Sequence, residues 1–506
     1  MNHLIVLPVL LPAFVAALIM LFRRYTLRIG RTVSIASSLT LLLTAVFLLV
    51  QASDGSVASY ALGDWRAPFG IVLVLDRLSA LMLLLTATLS LLVLWYAIQT
   101  DLDRRGWHFH SLFHFQMLGL NGAFLTGDLF NLFVFFEVLL IASYGLMLHG
   151  QGAERLKAGV QYVIINLVGS TLFLIAVGVL YGVTGTLNMA DMAVRVAAIP
   201  PQDQGLLRAA AAVLMSVFAL KAALLPLHVW LPRTYANTSP AVAALFAIMT
   251  KVGVYSIIRV MTLVFGTGAG EAAWAPAEWM LPAALLTVVI GFAGLLAARG
   301  LRDLAAFALI GSTGTLLVAV SLFDEAALAA ALYYLPHTTL AAAALFLVTD
   351  SVQRRRPENG DSLVPGPRFV SSEALSVLFL MTSIAIVGLP PLSGFVGKLL
   401  ILEAAQPLPS APWVWSTILL TTFVGIVALA RAGSTLFWKS AAIGEGPLPA
   451  ARWQRTADLM PATTILLLLA ILTVLAGPAM DYMDKAAAQL FLPTAYIEAV
   501  LGGQGR

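Results

Sequence analysis

Apolar runs of 18 to 28 residues recur along nearly the whole of this 506-residue chain. Each run is long enough to cross about 30 Å of hydrocarbon as an α-helix. Only 11% of the residues are charged, less than half of the roughly 25% found in soluble domains. The runs lack the alternation of apolar and polar positions that membrane barrels show. The sequence therefore predicts an all-α integral membrane protein that lies in a lipid bilayer.

The apolar runs divide into about 14 predicted transmembrane helices. Their approximate bounds are 3–22, 32–51, 72–98, 109–127, 129–148, 160–183, 207–227, 239–264, 277–298, 303–323, 326–349, 371–403, 413–438 and 460–480. Eighteen of the 29 Lys and Arg residues lie in the loops that follow odd-numbered helices. Because cytoplasmic loops carry an excess of Lys and Arg, these loops are predicted to be cytoplasmic and both termini extracytoplasmic.

Four charged side chains interrupt these helices far from their ends: Glu137, Lys221, Lys251 and Lys398. Insertion scales put each such charge at about 2.5–3.5 kcal/mol, so the four together cost on the order of 10 kcal/mol. One carboxylate and three amines are therefore expected to face one another or water inside the bundle, as a proton relay. The alternatives are a carboxylate that only joins helices by hydrogen bonds, and lysines that snorkel or lie beside a hinge.

Two of the predicted helices carry breaks. Pro226 lies between Lys221 and His228 and removes a backbone hydrogen bond from the seventh helix. The pair Pro390-Pro391 opens the twelfth helix before Lys398. Breaks at membrane depth are tolerated where they line a cavity, so the prolines and His228 are predicted to support the ion path.

Other polar side chains in the predicted helices are weaker candidates for the same path. His337 and Thr338 lie in the eleventh helix, where the histidine is either a proton shuttle or a hydrogen-bonded core residue. Tyr255 follows Lys251 by one turn and is a supporting candidate. Glu403 is either an exit group or simply the end of its helix.

Two charged features near predicted helix ends are assigned structural roles. Arg259 is predicted to be an anchor at the membrane interface, and Asp76 and Arg77 are predicted to form an ion pair with each other.

Several classes of function lack their motifs. The chain has no P-loop, no glycine-rich nucleotide motif after a strand, no metal-ligand spacing and no cysteine. We therefore expect no cofactor, no metal and no enzymatic turnover. The net charge of +4 lies among membrane helices, so it does not indicate nucleic-acid binding.

Four stretches resemble the antiporter-like subunits shared by respiratory complex I and the multisubunit Mrp cation/proton antiporters. They are the phenylalanine-rich run to Glu137, KAALLPLHVWLP, TSPAVAALFAIMTKVGVY and GLPPLSGFVGKLL, and the resemblance spans residues 72–440. YALGDWRAPFGIVLVLD, YYLPHTTLAAAALFLVTD and ALARAGSTLFWK are most similar to the D branch of the Mrp family. The resemblance implies 14 helices, with helices 4–8 and 9–13 as inverted five-helix repeats and with helices 7 and 12 broken. The corresponding domains are 1–108, 109–264, 265–440 and 441–506, and the last comprises helix 14 and a short tail after residue 480.

The resemblance also implies roles and partners. Its proton relay would comprise Glu137, Lys221, Lys251, His337 and Lys398. The family works as a hetero-oligomer in the bacterial cell membrane and exchanges cytoplasmic Na⁺ or K⁺ for external protons. Two alternatives stay open: a proton-pumping subunit of a redox complex, such as an NADH–quinone oxidoreductase or a membrane hydrogenase, and a membrane scaffold without transport.

Overall fold

The computed structural model describes residues 3–21, 27–439 and 456–502. Within these residues, eleven helices are long and apolar enough to cross a membrane, and Leu7–Leu21 and Ser372–Val387 are shorter apolar helices. The chain is thus a multi-pass membrane protein, as predicted. The predicted domain boundary between 440 and 441 lies outside the described residues, as do Arg23, Arg24, Arg452 and Arg455.

Four long helices and a small hairpin form the N-terminal part. The helices are α1 (Leu7–Leu21), α2 (Leu27–Ala52), α3 (Arg77–Gln99) and α4 (Phe109–Leu125), and the strands are β1 (Ala58–Ala61) and β2 (Val72–Leu75). The strands pair antiparallel, with Ala58 opposite Leu75. The third helix was predicted from residue 72, which is wrong. The Asp76 carboxylate accepts from the Ser79 backbone N–H and the Ser79 hydroxyl accepts from the Asp76 backbone N–H, so this capping box starts the helix at Arg77.

The middle of the chain contains seven helices. They are α5 (Leu129–Leu148), α6 (Ala153–Thr184), α7 (Met189–Ala197), α8 (Gln204–Lys221), α9 (Trp230–Asn237), α10 (Pro240–Phe246) and α11 (Met249–Leu263). The break predicted in the seventh helix is present, because α8 ends at Lys221 and residues 222–229 form turns. A short interruption at 247–248 also divides the predicted helix 239–264.

The remaining helices surround one long central helix. They are α12 (Ala277–Ala297), α13 (Leu301–Val320), α14 (Glu325–Arg354), α15 (Ser372–Val387), α16 (Ser393–Ala405), α17 (Ala411–Gly433), α18 (Met460–Val474), α19 (Ala476–Phe491) and α20 (Thr494–Leu501). The helix α14 contacts α10, α13, α15, α16, α18 and α19, and its membrane-spanning part is buried throughout. The predicted break before Lys398 is present at residues 388–392.

The C-terminal prediction needs correction. The helix predicted over 460–480 is interrupted at Leu475, and the segment after residue 480 was expected to be a short tail. It forms the end of α19 and the whole of α20 instead. The helix α19 packs on α14, with Met483 and Leu490 among its buried residues. Burial of this apolar face explains why a segment with many polar residues is helical.

Candidate proton-transfer site

The carboxylate of Glu137 lies on α5 and faces α6. It is half-buried and accepts a short hydrogen bond from the Ser170 hydroxyl. Ser170 is itself buried on α6. The carboxylate is thus held by a neutral donor rather than by a cation.

Lys221 is the last residue of α8 and is buried at the break. Its Nζ donates to Asn166 Oδ1 at 2.9 Å. Asn166 and Ser170 are four residues apart on α6, so they lie on one face of that helix. Glu137 and the lysines were expected to face one another or water, and no salt bridge joins Glu137 to Lys221 in the described residues. Each of the two groups bonds to a different side chain of α6 instead.

Gly169 lets the lysine approach α6. A Cβ added there would lie 3.0 Å from Leu220 and 3.8 Å from Lys221 Nζ, so a larger side chain would crowd the end of α8. Asn166 and Ser170 were missed by sequence reasoning. Their spacing of four in an otherwise apolar run was the signal that could have found them.

Lys251 lies within α11 and is fully buried. Its Nζ donates to Thr313 Oγ1 at 3.0 Å, across to α13, and to Thr250 Oγ1 at 3.3 Å. Thr313 was not among the predicted site residues. A Cβ added at Gly253 would lie 2.5 Å from the Ala222 backbone nitrogen, so α11 packs directly on the end of α8 beside Lys221.

His337 joins the two halves of the second broken helix. Its Nε2 lies 3.1 Å from the Ala385 carbonyl on α15, and its Nδ1 lies 2.9 Å from Ser393 Oγ at the start of α16. A carbonyl only accepts, so Nε2 carries the hydrogen and Nδ1 accepts from the serine hydroxyl. The neighbouring Thr338 is buried, and its hydroxyl has no partner among the described residues.

Lys398 reaches back across the break. Its Nζ donates to the carbonyl of Val387, the last residue of α15, and to Thr422 Oγ1 on α17, both at 2.8 Å. It also lies 5.4 Å from the centroid of the Phe292 ring. The carbonyl end of a helix carries partial negative charge, which stabilises the ammonium.

The buried lysines share one property. Each described Nζ hydrogen bond goes to a neutral oxygen, on Asn166, Thr250, Thr313, Val387 or Thr422. Helices that carry successive groups are also neighbours, since α5 contacts α6, α6 contacts α8, α8 contacts α11, α11 contacts α13, α13 contacts α14, and α14 contacts α16. We call Lys221, Lys251 and Lys398 the lysine file. Their acceptors can accept a hydrogen bond from the charged ammonium and from the neutral amine.

Comparison with known proteins assigns the chain to a family. Residues 126–428 match the family described as NADH:quinone oxidoreductase/Mrp antiporter, transmembrane. The chain belongs to this family. A Rhizobium meliloti protein, named as the D-type subunit of a probable K⁺/H⁺ antiporter, is 41% identical, covering 99% of this chain and 98% of that protein. An Alkalihalophilus pseudofirmus protein, named as the D-type subunit of a Na⁺/H⁺ antiporter, is 35% identical, covering 99% of this chain and 100% of that protein.

A solved structure gives the same result. The Mrp complex from Dietzia sp. DQ12-45-1b contains a chain that superposes with a TM-score of 0.89 at 29% identity, covering 99% of this chain and 100% of that one. The resemblance to Mrp antiporter subunits and the membrane-helix fold class are thereby confirmed. The count of 14 helices, the inverted repeats, the domain boundaries and the relay roles stay predictions.

Of the predicted supporting residues, His228 and Glu403 form no described hydrogen bond with the buried lysines. The break at 222–229 removes the continuous helix that would align His228 with Lys221, and Nδ1 of this half-buried histidine has no partner among the described residues. Pro226 is exposed within the break, and Glu403 is exposed on α16. Tyr255 donates to the Phe124 carbonyl at 2.7 Å and accepts from Arg259 Nε at 3.3 Å.

Arg259 and Asp76 correct two predictions. Arg259 is only 3% exposed, not an interfacial anchor, and it binds both Asp76 oxygens at 2.5 and 2.8 Å. Arg77 does not pair with Asp76; its guanidinium donates to the backbone carbonyls of Ser53 and Lys485. Desolvation of two buried charges is tolerable only with such bidentate geometry, which an adjacent residue cannot supply.

A metal centre has no ligand set in the described parts of the chain. In residues 3–21, 27–439 and 456–502, no three His, Asp or Glu side chains lie close enough to hold an ion together. The amines, the imidazole and the carboxylate described above can each accept and release a proton.

Proposed function

We propose that this chain is the D-type subunit of a multisubunit bacterial antiporter, which exchanges cytoplasmic Na⁺ or K⁺ for external protons across the cell membrane. Both termini would lie outside, and the chain would act as part of a secondary transporter rather than as an enzyme. Full-length similarity to two antiporter subunits supports the assignment. The single observation that carries the proton role is the file of buried lysines on neutral oxygens.

The proposed path runs from Glu137 through Lys221, Lys251 and His337 to Lys398. An ammonium that donates only to neutral oxygens loses less attraction on releasing its proton than one paired with a carboxylate. At His337, a proton arriving at Nδ1 makes the imidazolium, and release from Nε2 restores the neutral ring. Water between the groups would carry the proton over each gap.

Glu137 is placed to bias the first step. An ionised carboxylate near Lys221 favours the ammonium form of the lysine, and hydrogen bonds to Ser170 and Asn166 hold both groups on one face of α6. A structural change at Ser170 or at the half-buried carboxylate would weaken the attraction between Glu137 and the Lys221 ammonium. The relay would then pass its proton onward.

The lateral surface beside Glu137 is suited to another membrane subunit. Large apolar side chains on α5 and α6 are exposed in the single chain, including Ile141 at 64% and Leu167 at 62%. We propose that other antiporter subunits, or lipid, cover this face. Partner contact there would reach the half-buried Glu137 and could couple cation movement to the relay.

The test uses membrane vesicles that hold the complete antiporter complex. Glu137→Gln, Lys221→Ala and Lys398→Ala should each lower cation-dependent proton exchange by at least about tenfold, because each removes one step of the path. Lys485→Ala, at an exposed lysine, is the matched control. Full exchange in all three variants, at normal abundance in the complex, would show that the relay is wrong.

The redox alternative rests on the family description, which also covers NADH:quinone oxidoreductases. Vesicles without any electron donor separate the two functions. Proton exchange driven by a Na⁺ or K⁺ gradient alone supports the antiporter, whereas proton movement only upon donor oxidation supports the redox complex. A scaffold would keep transport after neutral replacement of Glu137, Lys221, Lys251 and Lys398 together.

A further inference from the structure

The buried face of α2 changes from apolar to polar along its length. Near the hairpin it carries Leu41, Ala45 and Leu48. Toward the start of the helix it carries Ser34, Ser37 and Ser38. Thr40 and Thr44 bond to carbonyls of their own helix, but the three serine hydroxyls have no partner in the described structure. These three hydroxyls can therefore form hydrogen bonds with a molecule inside the helix bundle.

Unpartnered polar atoms also lie along α4. His114 is 0% exposed and neither of its ring nitrogens has a partner in the described residues. Gln116 is equally buried, and both of its amide atoms lack a partner in the described residues. Nδ1 of His110 also lacks a partner there. Together with the serines this makes eight atoms: three hydroxyls, three ring nitrogens and two amide atoms. Leaving a buried polar group without a partner costs its full desolvation, so dry packing of all eight atoms is not tenable.

The polar atoms of α2 and α4 lie at matching depths. A Cβ added at Gly30 would be 3.8 Å from the His110 ring, so the two helices are side by side near their starts. Both helices lead from that end toward the hairpin, where Leu48 and Leu125 share one apolar cluster. At about 1.5 Å per residue, Ser34 is level with His114, and Ser37 and Ser38 follow about one turn deeper.

Gln116 lies deeper still, on the side of α4 that faces α5. Leu112 contacts the position of Gly145, and Gly119 contacts Leu139, both on α5. Gln116 falls between Leu112 and Gly119 on the same face of the helix. Gln116 follows His114 by two residues, so it lies on the other side of α4 and is not part of the column of atoms that α2 and α4 share.

A cavity of about 750 Å³ opens where the column begins. Its described lining includes Gly30, Val33, Asp103, His110 and Ser111. Asp103 is buried at this mouth, where it accepts from Arg31 Nε and Nη2 at 2.6 Å and lies 3.2 Å from His110 Nε2. One ring nitrogen of His110 is therefore held at the mouth, and the other is unpartnered.

We propose that α2 and α4 enclose a water-filled proton path that opens at the Asp103 end and is separate from the lysine file, with His110 and His114 as its proton carriers. This proposal rests on the proposed proton exchange. Water is the occupant because the atoms are too deeply buried for a neighbouring subunit to reach. Na⁺ and K⁺ are unsuited because the serine hydroxyls carry no negative charge to neutralise a cation, and the carboxylate of Asp103 is already occupied by Arg31.

The transfer step is balanced at each histidine. A neutral imidazole accepts a proton from water at one nitrogen and releases the proton of the other nitrogen to the next water. His110 would pass it between the cavity and the column, and His114 along the serine stripe. No charge remains on the histidines after the proton has passed.

Cysteine labelling tests the hydration, since the chain has no cysteine of its own. Ser34→Cys and Ser37→Cys are compared with Leu92→Cys in the complete complex. Leu92 is buried on α3, seven residues before its end, and Ser34 is seven residues after the start of the adjacent, oppositely directed α2. The depths therefore match. A membrane-impermeant thiosulfonate reacts with thiolate, which forms only in water.

We expect both serine positions to react at least about tenfold faster than Leu92→Cys, from the face that carries Arg31. Equal rates at the three positions in assembled complexes would overturn the proposal. If the variants do not assemble, hydroxyl-radical footprinting of the unmodified complex replaces them. His114 should then be oxidised faster than Met82, which is equally buried in an apolar part of α3. Equal protection of both residues would overturn the hydrated path.

Function is tested by His114→Phe, which fills the space and removes the carrier. In His114→Phe we expect slower labelling of Ser37→Cys and at least about tenfold slower proton exchange. In His114→Gln we expect fast labelling of Ser37→Cys but the same loss of proton exchange. Phe113→Leu, at a buried apolar neighbour on α4, is the packing control. Full exchange in both His114 variants would overturn the proton role even where labelling is fast. A complex without any exchange would instead refute the proposed antiporter function, while the labelling would still decide hydration.

Discussion

Arg259 and the three lysines of the candidate site are all buried cations, but their partners differ. Arg259 is held by both oxygens of Asp76, in a charge pair that also caps α3. Lys221, Lys251 and Lys398 are held by neutral oxygens on side chains or on a helix end. A paired arginine keeps its proton and fixes two elements together, whereas an amine on neutral acceptors can exchange its proton. For these four cations, the partner rather than burial itself separates the charge that fixes two elements from the groups of the proposed relay.

The largest effect is expected from breaking the charge pair. Arg259→Met should destabilise the protein by about 3–5 kcal/mol, because it leaves the Asp76 carboxylate buried without a cation. Thermal unfolding of the purified antiporter complex measures this loss. The double variant Arg259→Met with Asp76→Leu should recover much of the stability. Equal instability of the single and double variants would mean that the pair is not what holds α3 to α11.

Lys251→Met should change proton exchange strongly and thermal stability little, in contrast to the large loss of stability expected for Arg259→Met. The thermal stability should change by only about 1 kcal/mol, because a similar-sized apolar chain replaces an amine held by two threonine hydroxyls. Proton exchange in vesicles should nevertheless fall by at least about tenfold, since the file loses its middle member. Normal exchange together with a large loss of stability would place Lys251 in the structural class with Arg259.

Two acceptor variants compare the two broken helices. Asn166→Leu removes the described acceptor of Lys221, so exchange should fall by about tenfold. Thr422→Val removes one of two acceptors of Lys398, and the Val387 carbonyl remains, so a decrease of only about two- to threefold is expected. Initial rates at equal abundance of the complex measure both. A larger effect at Thr422 than at Asn166 would reverse the assignment of the two lysine environments.

The sequence predicted the spans, because burial of twenty apolar residues in lipid dominates every local preference. It also predicted both breaks from Pro226 and Pro390-Pro391. It missed the strand Val72–Leu75, because four apolar residues beside a helix have no periodicity of their own. The helix α19 was missed because Asp481 and Asp484 are typical of a tail, although its opposite face is apolar.

The site was predictable only in part. Charged residues in lipid stand out by their insertion cost, which identified Glu137 and the lysines. Their acceptors are neutral, and Asn166 or Thr313 costs too little to stand out from ordinary packing residues. The partner of Arg259 is 183 residues away, so only the folded chain could reveal it. Pairing across such distances depends on helix packing, which local sequence does not determine.

The smallest effect is expected at Asp103, a buried carboxylate whose partners are an arginine, Arg31, and a histidine, His110. Burial would raise the pKa of this carboxyl, but hydrogen bonds from Arg31 and His110 hold the pKa below its ordinary value. A carboxyl whose pKa is lowered by folding stabilises the protein above its unfolded pKa of about 3.9 and loses that contribution as the pH falls through the folded pKa. The wild-type complex should therefore lose thermal stability more steeply below about pH 4 than Asp103→Asn does. Identical pH profiles would show that Asp103 is not ionised in the folded protein, and the mouth of the α2–α4 path would then lack its fixed negative charge.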